Sequence, residues 1–146
     1  MDRKGREGER SFSDGLAFER ALSNTIPLLV VGLKPLGSEK NAAFEVVAIR
    51  QNGRVEAKAV MDATVRTMES TGSFKLVKSL DSVKIGDRDF VGVEMENSAF
   101  AAPFRQRSYF AVQDKFAIAI TIAYHSEEQL LEFDQLFRTF SFADGD

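Results

Sequence analysis

Phe116–Tyr124, with the sequence FAIAITIAY, is the stretch that decides the fold. Large side chains occupy every second position and small ones lie between them, which is the two-residue period of a β-strand. Both sets are largely apolar, so neither side of this strand suits contact with water. The stretch is therefore predicted to be a central strand, buried on both sides.

A helix is predicted directly after this strand. Ser126 and Gln129 stand three residues apart, the arrangement of a capping box, in which each side chain satisfies a backbone N–H at the helix start. Four apolar residues then recur at helical spacing and form its inner stripe: Leu130, Phe133, Leu136 and Phe137. Phe140 and Phe142 follow in an extended tail.

Upstream of this strand, five extended runs and one more helix are predicted. The helix is amphipathic and ends at Gly72, with one arc formed by Ala57, Val60, Met61, Thr64, Val65 and Met68. The extended runs are Ile26 to Leu33, predicted to be buried, Ala43 to Arg50, Phe74 to Ser79 continuing toward Ile85, Phe90 to Asn97 and Phe104 to Gln113. Turns are predicted at Gly37 to Asn41, Gln51 to Gly53 and Gly86–Asp87. This order describes an α+β fold, an antiparallel β-sheet with helices packed on it.

The last two of these runs flank a short loop and are predicted to form a hairpin. The register that brings opposite charges together gives three cross-strand pairs on one face: Glu96 with Arg105, Glu94 with Arg107, and Gly92 with Tyr109.

The next turn, around Asp114, allows a loop of two or three residues, and a slip of one residue swaps the faces of the strand. The hydrophobic pattern favours three, because that loop unites four apolar residues on one face: Phe110, Val112, Phe116 and Ile118. The other face would then be an alanine floor beside the charged pairs, formed by Ala111, Ala117, Ala119 and Ala123.

Length and composition predict one globular domain. The chain has 146 residues, the usual size of a single domain, and its thirteen phenylalanines predict a Phe-rich core. Residues 1–10 hold seven charged residues and no apolar residue after Met1, so we expect a disordered leader. Residues 11–143 are predicted to form the single domain, because they contain no repeat, low-complexity tract or linker.

Charge and the scarcity of reactive residues exclude several classes of function. A net charge of -3 argues against nucleic-acid and anionic-lipid partners. The chain has no cysteine and one histidine, which removes thiol catalysis, cysteine zinc sites and multi-histidine metal sites within one chain. No phosphate loop, dinucleotide fingerprint or nucleophile elbow occurs. We therefore expect neither a metal nor a cofactor.

No membrane insertion is predicted, and no targeting signal is recognisable. The longest apolar run, Ile26 to Leu33, is far shorter than the roughly 18 residues that span a bilayer. The N-terminal residues lack the apolar stretch of a secretory signal, and their acidic side chains are unlike a mitochondrial presequence. The chain as written is predicted to be cytoplasmic, and an exported full-length form stays open if a signal was removed.

One face of the predicted hairpin is the candidate binding site. It carries Glu94, Glu96, Arg105, Arg107 and Tyr109, and arginine forks suit the carboxylate or phosphate groups of a ligand or partner. The two glutamates also stand about 6–7 Å apart, a spacing compatible with an acid/base pair, but neighbouring arginines would keep both ionised. The plain alternative is an ordinary salt-bridged sheet face.

Two further residues are interpreted as structural. His125 precedes the capping Ser126 at a strand-to-helix corner, where the sequence shows no partner for base catalysis. Phe100, in the loop Ser98 to Pro103, is predicted to fold back onto the core, and the alternative is an exposed anchor for a partner.

The order of elements resembles the PsbP-like superfamily, which also takes in Ran-binding Mog-type proteins and bacterial DcrB-type envelope proteins. The resemblance covers Ile26 to Phe142, and four features carry it: the strand–helix unit ending at Gly72, the run Val83 to Glu96 with its Gly86 turn, the strands from Phe104 to Tyr124, and the closing Phe137 to Phe142. It implies an α/β/α sandwich that acts as a non-catalytic binding or accessory module. It transfers no site residue to this chain.

Two classes of function remain. The first is a non-catalytic module that binds a protein partner or small ligand through the Glu/Arg/Tyr face or Phe100. The second is a small hydrolase-like enzyme that uses the neighbourhood of Glu94, Arg107, Tyr109 and His125. The missing nucleophile and metal motifs favour the first, because catalysis needs converging groups. A pocket that joined His125 to a carboxylate would favour the second.

Overall fold

The computed structural model describes residues 25–32, 34, 41–97 and 104–141. Within these ranges the chain forms six strands and two helices, an α+β fold. The strands are β1 (Thr25–Gly32), β2 (Ala43–Arg50), β3 (Phe74–Ile85), β4 (Arg88–Asn97), β5 (Phe104–Gln113) and β6 (Phe116–Tyr124). The helices are α1 (Ala57–Ser70) and α2 (Glu127–Phe137). The predicted leader, turn residues 37–40, the loop with Phe100, and Phe142 lie outside the described residues.

The sheet has the strand order β1-β2-β6-β5-β4-β3, and every neighbouring pair is antiparallel. Helix α1 therefore connects β2 to the far edge of the sheet, and β3 to β6 return as a meander until β6 pairs with β2. This places β6 in the interior, where every residue after Phe116 is buried. The predicted central strand is confirmed.

The alternation along β6 divides the core into two clusters. One cluster joins Ile118, Ile120 and Ile122 to Leu130, Phe133 and Phe137 of α2. The other joins Ala117 and Ala119 to Val60, Met61 and Met68 of α1. Both predicted helices thus bury the apolar stripes expected of them. Neither helix, at 14 and 11 residues, is a candidate membrane span within the described part of the chain.

Aromatic rings fill the space between α2 and the sheet. Phe44 of β2 lies at their centre, 2% exposed, with its ring centroid 5.8 Å from Phe133, 6.0 Å from Phe137 and 5.8 Å from Phe140. The first two contacts are edge-to-face, an arrangement that aligns the positive ring edge with the negative ring face. The expectation of a Phe-rich core is confirmed on this side of the sheet.

Strand β1 forms where predicted, but the prediction that it is buried is wrong. It lies at an edge of the described sheet, and four of its apolar side chains are about half exposed: Ile26 50%, Leu28 57%, Leu29 45% and Val30 44%. An apolar run indicates that a strand forms. It does not indicate how many neighbours the strand will have, because that depends on distant parts of the chain.

The turn between β5 and β6 has two residues, because Gln113 pairs directly with Phe116. The predicted three-residue loop is therefore wrong. Asp114 adopts a φ of 54°, the left-handed conformation that a two-residue hairpin turn needs. As a consequence, Phe110 and Val112 pair with alanines of β6, and the residues opposite Arg107 and Tyr109 are isoleucines. Of the predicted alanine floor, only Ala111 lies on the face of the charged pairs; Ala117, Ala119 and Ala123 lie on the opposite face.

Candidate functional site

The predicted register of β4 against β5 is confirmed: Glu96 lies opposite Arg105, Glu94 opposite Arg107, and Gly92 opposite Tyr109. Residues directly opposite each other share a face of the sheet. On its other side β4 pairs with β3, which places Lys75 opposite Glu96 and Lys78 opposite Glu94. We term the resulting set the charged face: Lys75, Lys78, Glu94, Glu96, Arg105 and Arg107.

Glu94 is the buried centre of the charged face, with 1% of its surface exposed. Its Oε1 accepts a hydrogen bond from Arg107 Nε at 3.0 Å and another from the Tyr124 hydroxyl at 2.5 Å. Its Oε2 lies 3.5 Å from Arg105 Nη1 and has no hydrogen-bond partner among the described residues. One carboxylate thus links β4, β5 and β6.

The protonation states of this network are fixed at neutral pH. Burial raises the pKa of the Glu94 carboxyl, but hydrogen bonds from Tyr124 and Arg107 and the nearby charges of Arg107 and Lys78 outweigh it, so the pKa falls below its ordinary value. Burial and the hydrogen bond to Glu94 raise the pKa of Tyr124 to about 12. Glu94 is therefore an anion and Tyr124 a neutral donor. An acid/base pair needs one carboxyl kept protonated, and Glu94 does not supply it.

Tyr109 is buried, so its side chain is not placed to contact a ligand or partner directly. It is 5% exposed, and its ring packs edge-on against Phe137 with the centroids 6.2 Å apart. A Cβ at Gly92 would stand 2.9 Å from Tyr109 Cδ1, so the glycine makes room for the ring. Tyr109 also lies close enough to Arg107 to interact with it electrostatically. Tyr109 therefore joins the aromatic core to the charged face.

Arg105 is the more accessible of the two arginines, with 49% of its side chain exposed against 20% for Arg107. Although Glu96 lies directly opposite it, Arg105 forms its ion pair with Glu94. Glu96 forms no ion pair within the ranges that the structure describes. The sequence therefore predicted the backbone register correctly, but the expected side-chain pair of Glu96 with Arg105 does not form.

Arg105 and Tyr124 also line an open cleft of about 460 Å³ where β5, β6 and the start of α2 meet. The other lining residues are Glu96, Phe104, His125, Ser126 and Glu127. Sequence reasoning missed Tyr124 as a site residue, because the wrong turn length assigned it to the opposite face from Glu94. The signal that could have identified it was Asp114, a residue type that tolerates the left-handed turn conformation.

The histidine at this cleft is held by the helix cap. Ser126 Oγ accepts a hydrogen bond from Gln129 N at 3.3 Å, as a capping residue should. Gln129 Oε1 accepts from the backbone N–H of His125 at 2.7 Å, one residue earlier than the capping box predicted. The His125 ring lies against Phe104, with centroids 5.9 Å apart. In the described ranges, no three histidine or acidic side chains are grouped so as to hold a metal ion.

No family model and no curated protein matches this chain. Among solved structures, the chain is similar to PA94 from Pseudomonas aeruginosa, a protein of unknown function described as a candidate regulator. The match has a TM-score of 0.53 and 18% sequence identity, and it covers 80% of this chain and 83% of that chain. At this identity the likeness concerns the fold alone.

Proposed function

We propose that the protein is a non-catalytic binding module that holds an acidic segment of a protein partner on the charged face. The observation that carries the proposal is Glu94, a carboxylate that is 1% exposed and touches two arginines at once. Buried ion pairs are weak devices for stability, since an apolar replacement of similar volume is often neutral or stabilising. Stability therefore does not explain why a buried carboxylate orients two arginines at the surface. Binding of an acidic group by those arginines explains it better.

Orientation matters because a long, mobile side chain loses rotamer freedom when it binds. That loss costs up to about 2 kcal/mol for an arginine. Arg107 is already held by Glu94, so part of this loss has occurred before a partner arrives. Among the described residues, Arg105 is held only by a 3.5 Å ion pair, and half of its side chain is exposed, which leaves its guanidinium available to a carboxylate.

The balance of charge on the charged face indicates which kind of partner it would bind. The charged face carries four basic and two acidic side chains, whereas the whole chain has a net charge of -3. A local excess of positive charge attracts acidic groups and steers their approach. Small-molecule sites are usually concave, enclosed and mostly apolar. The cleft beside Arg105 is open and largely polar, which suits a protein segment better than a small ligand.

The fold supports the same proposal. The two helices pack with alternate residues of β6, as they do in an α/β/α sandwich. We propose that the chain is such a sandwich of the PsbP-like type. A binding or accessory role is what that resemblance implies.

The test is the affinity of a fluorescein-labelled oligoglutamate peptide, measured by fluorescence anisotropy. Arg105→Glu is expected to weaken binding about tenfold or more, equivalent to at least about 1.4 kcal/mol, because it replaces the exposed guanidinium with a repelling carboxylate. Added salt should weaken the wild-type complex, since the charges concerned are exposed.

Arg66→Glu is the matched control, because it makes the same change of charge at an exposed position of α1. We expect its affinity to stay close to that of the wild type. Absence of binding by the wild-type protein, or an equal loss in both variants, would contradict the proposal.

A second candidate function rests on the cleft, whose lining includes His125, Glu96 and Glu127. This is the combination that favours a small hydrolase-like enzyme, with His125 as general base and Arg105 holding an anionic substrate. Hydrolysis of model esters or phosphate esters that His125→Ala abolishes would support the enzyme. Hydrolysis at the rate of buffer alone, together with peptide binding, would support the binding module.

A further inference from the structure

The composition of the chain directs attention to one titratable residue at the cleft. The chain holds one histidine, His125, and no cysteine among its 146 residues. Histidine is the side chain whose ordinary pKa, about 6.5, places its change of charge within the physiological range of pH. Carboxylates ordinarily ionise near pH 4, and lysine loses its proton only above about pH 10. Between pH 5.5 and 7.5, a change in the charge of this protein is therefore expected to come mainly from His125.

His125 lies beside the residue that the proposed function uses for binding. Arg105 is directly opposite Tyr124 in the pairing of β5 with β6, and His125 is the next residue along the chain. The Cα atoms of His125 and Arg105 are therefore about 6 Å apart. Both residues line the same open cleft of about 460 Å³. An acidic group bound to Arg105 is thus within electrostatic reach of His125.

Two contacts fix the position of His125 at the cleft. Its backbone N–H donates to Gln129 Oε1 at 2.7 Å, which ties it to the start of α2. Its ring lies against the Phe104 ring, with the centroids 5.9 Å apart and the planes inclined by 58°. The residue is partly exposed, so the imidazole can exchange a proton with water. A fixed imidazole that titrates places its charge at one defined point of the cleft.

The groups that face His125 across the cleft come from four elements. The carboxylates of Glu96 on β4 and Glu127 on α2 favour the imidazolium, whereas Arg105 on β5 and the positive end of the α2 dipole disfavour it. Tyr124 on β6 is neutral, since its pKa is raised to about 12. A carboxylate bound to Arg105 offsets the nearest cation and adds a negative charge. Binding of an acidic segment therefore shifts the balance toward the protonated histidine.

We propose that His125 makes the binding of an acidic segment dependent on pH, with an affinity that rises as the histidine gains its proton. This inference rests on the proposed function and names its regulation. One added charge at about 4–8 Å in aqueous surroundings changes an affinity about two- to fivefold. Linkage is reciprocal, so the bound segment raises the pKa of His125 by the same factor. A general base needs the neutral imidazole, so the hydrolase alternative predicts the opposite dependence, an activity that rises with pH.

The first measurement is the affinity of a rhodamine-labelled oligoglutamate peptide by fluorescence anisotropy at pH 5.5 and pH 7.5, at constant ionic strength. The peptide carboxylates stay ionised over this range. We expect the wild type to bind about two- to fivefold more tightly at pH 5.5. The affinity of His125→Gln should not change with pH.

The matched control moves the histidine to the other side of the sheet. Ala63 is an exposed residue of α1, which packs on the face opposite α2. The double variant His125→Gln/Ala63→His keeps one titrating imidazole but places it away from the cleft. Its affinity for the peptide should be as insensitive to pH as that of His125→Gln.

The second measurement is the titration of the imidazole by proton NMR, followed at the Cε1–H signal with and without saturating peptide. We expect the peptide to raise the pKa of His125 by about 0.3–0.7, the logarithm of the same factor. An unchanged histidine pKa in the complex would overturn the inference, as would a pH dependence that His125→Gln retains or that the double variant restores. Equal wild-type affinity at the two pH values would overturn it and leave the proposed function standing. A wild type that binds no peptide at either pH would overturn both.

Discussion

Replacing Glu94 with alanine is expected to lower the free energy of unfolding by about 3–5 kcal/mol, the usual cost of removing one partner from a buried charged network. The side chain is 1% exposed, so its removal leaves a buried space in contact with polar groups. Arg107 would lose its hydrogen bond at Nε, and the hydroxyl of Tyr124, which is 3% exposed, would be left with no acceptor from Glu94. Urea denaturation followed by circular dichroism measures the loss.

Glu96→Ala is the control for this prediction. Glu96 lies on the same strand and the same face, two residues away, but forms no ion pair within the described residues. Its replacement should change the free energy of unfolding by only about 0.5 kcal/mol. Similar losses in the two variants would show that the Glu94 network adds nothing beyond an ordinary glutamate on this strand.

The same network predicts how stability depends on pH. The pKa of Glu94 is lower in the folded protein than its ordinary value of 4.5, so the unfolded chain takes up the proton first as the pH falls. The stabilisation by ionised Glu94 is therefore fully present above pH 4.5 and is lost as the pH falls through the lower pKa of the folded state. Glu94→Gln should flatten this acid loss of stability. If the free energy of unfolding falls equally with decreasing pH in the variant and the wild type, the prediction is contradicted.

Phe44→Ala is the other substitution with a large expected effect, about 3–5 kcal/mol of unfolding free energy. The ring is 2% exposed and contacts three other phenylalanine rings, so its removal leaves a cavity as well as a loss of buried apolar area. Because Phe133 and Phe137 belong to α2, we also expect the helix to dock less firmly. Thermal and urea unfolding both measure the loss.

Phe116→Ala is the matched control for this prediction, since Phe116 begins β6 and is 36% exposed. Its loss should cost about 1 kcal/mol, typical of a partly exposed position. If both phenylalanines cost the same, the aromatic cluster is not the tightly packed core that the distances indicate.

Local patterns in the sequence were sufficient to predict most of the strands and helices of the fold. The bounds of β2, β5 and β6 follow from two-residue periodicity and from the turn residues that flank them. The register of β4 on β5 was predictable because Glu94 and Glu96 have only one alignment that matches both arginines. Charges constrain register strongly, since a slip of one residue would separate both pairs.

The turn at Asp114 was not predictable by the same reasoning. Both faces of β6 are apolar and buried, so the hydrophobic pattern that favoured a three-residue turn was a poor guide to the turn length. The error of one residue reversed the faces of β6 and concealed the contact between Tyr124 and Glu94. The exposure of β1 was not predictable for a different reason. The number of strands that pair with a given strand depends on distant parts of the chain.

The central claim is that Glu94 positions the arginines for an acidic partner, and the affinity of Glu94→Gln for the oligoglutamate peptide tests it most directly. The substitution removes a negative charge from the charged face, so charge alone would strengthen binding of an acidic peptide. A neutral amide holds the two guanidinium groups less firmly than a carboxylate does. We therefore predict that the variant, shown to be folded by circular dichroism at neutral pH, binds the peptide several-fold more weakly than the wild type. Binding equal to or tighter than that of the wild type would contradict the account.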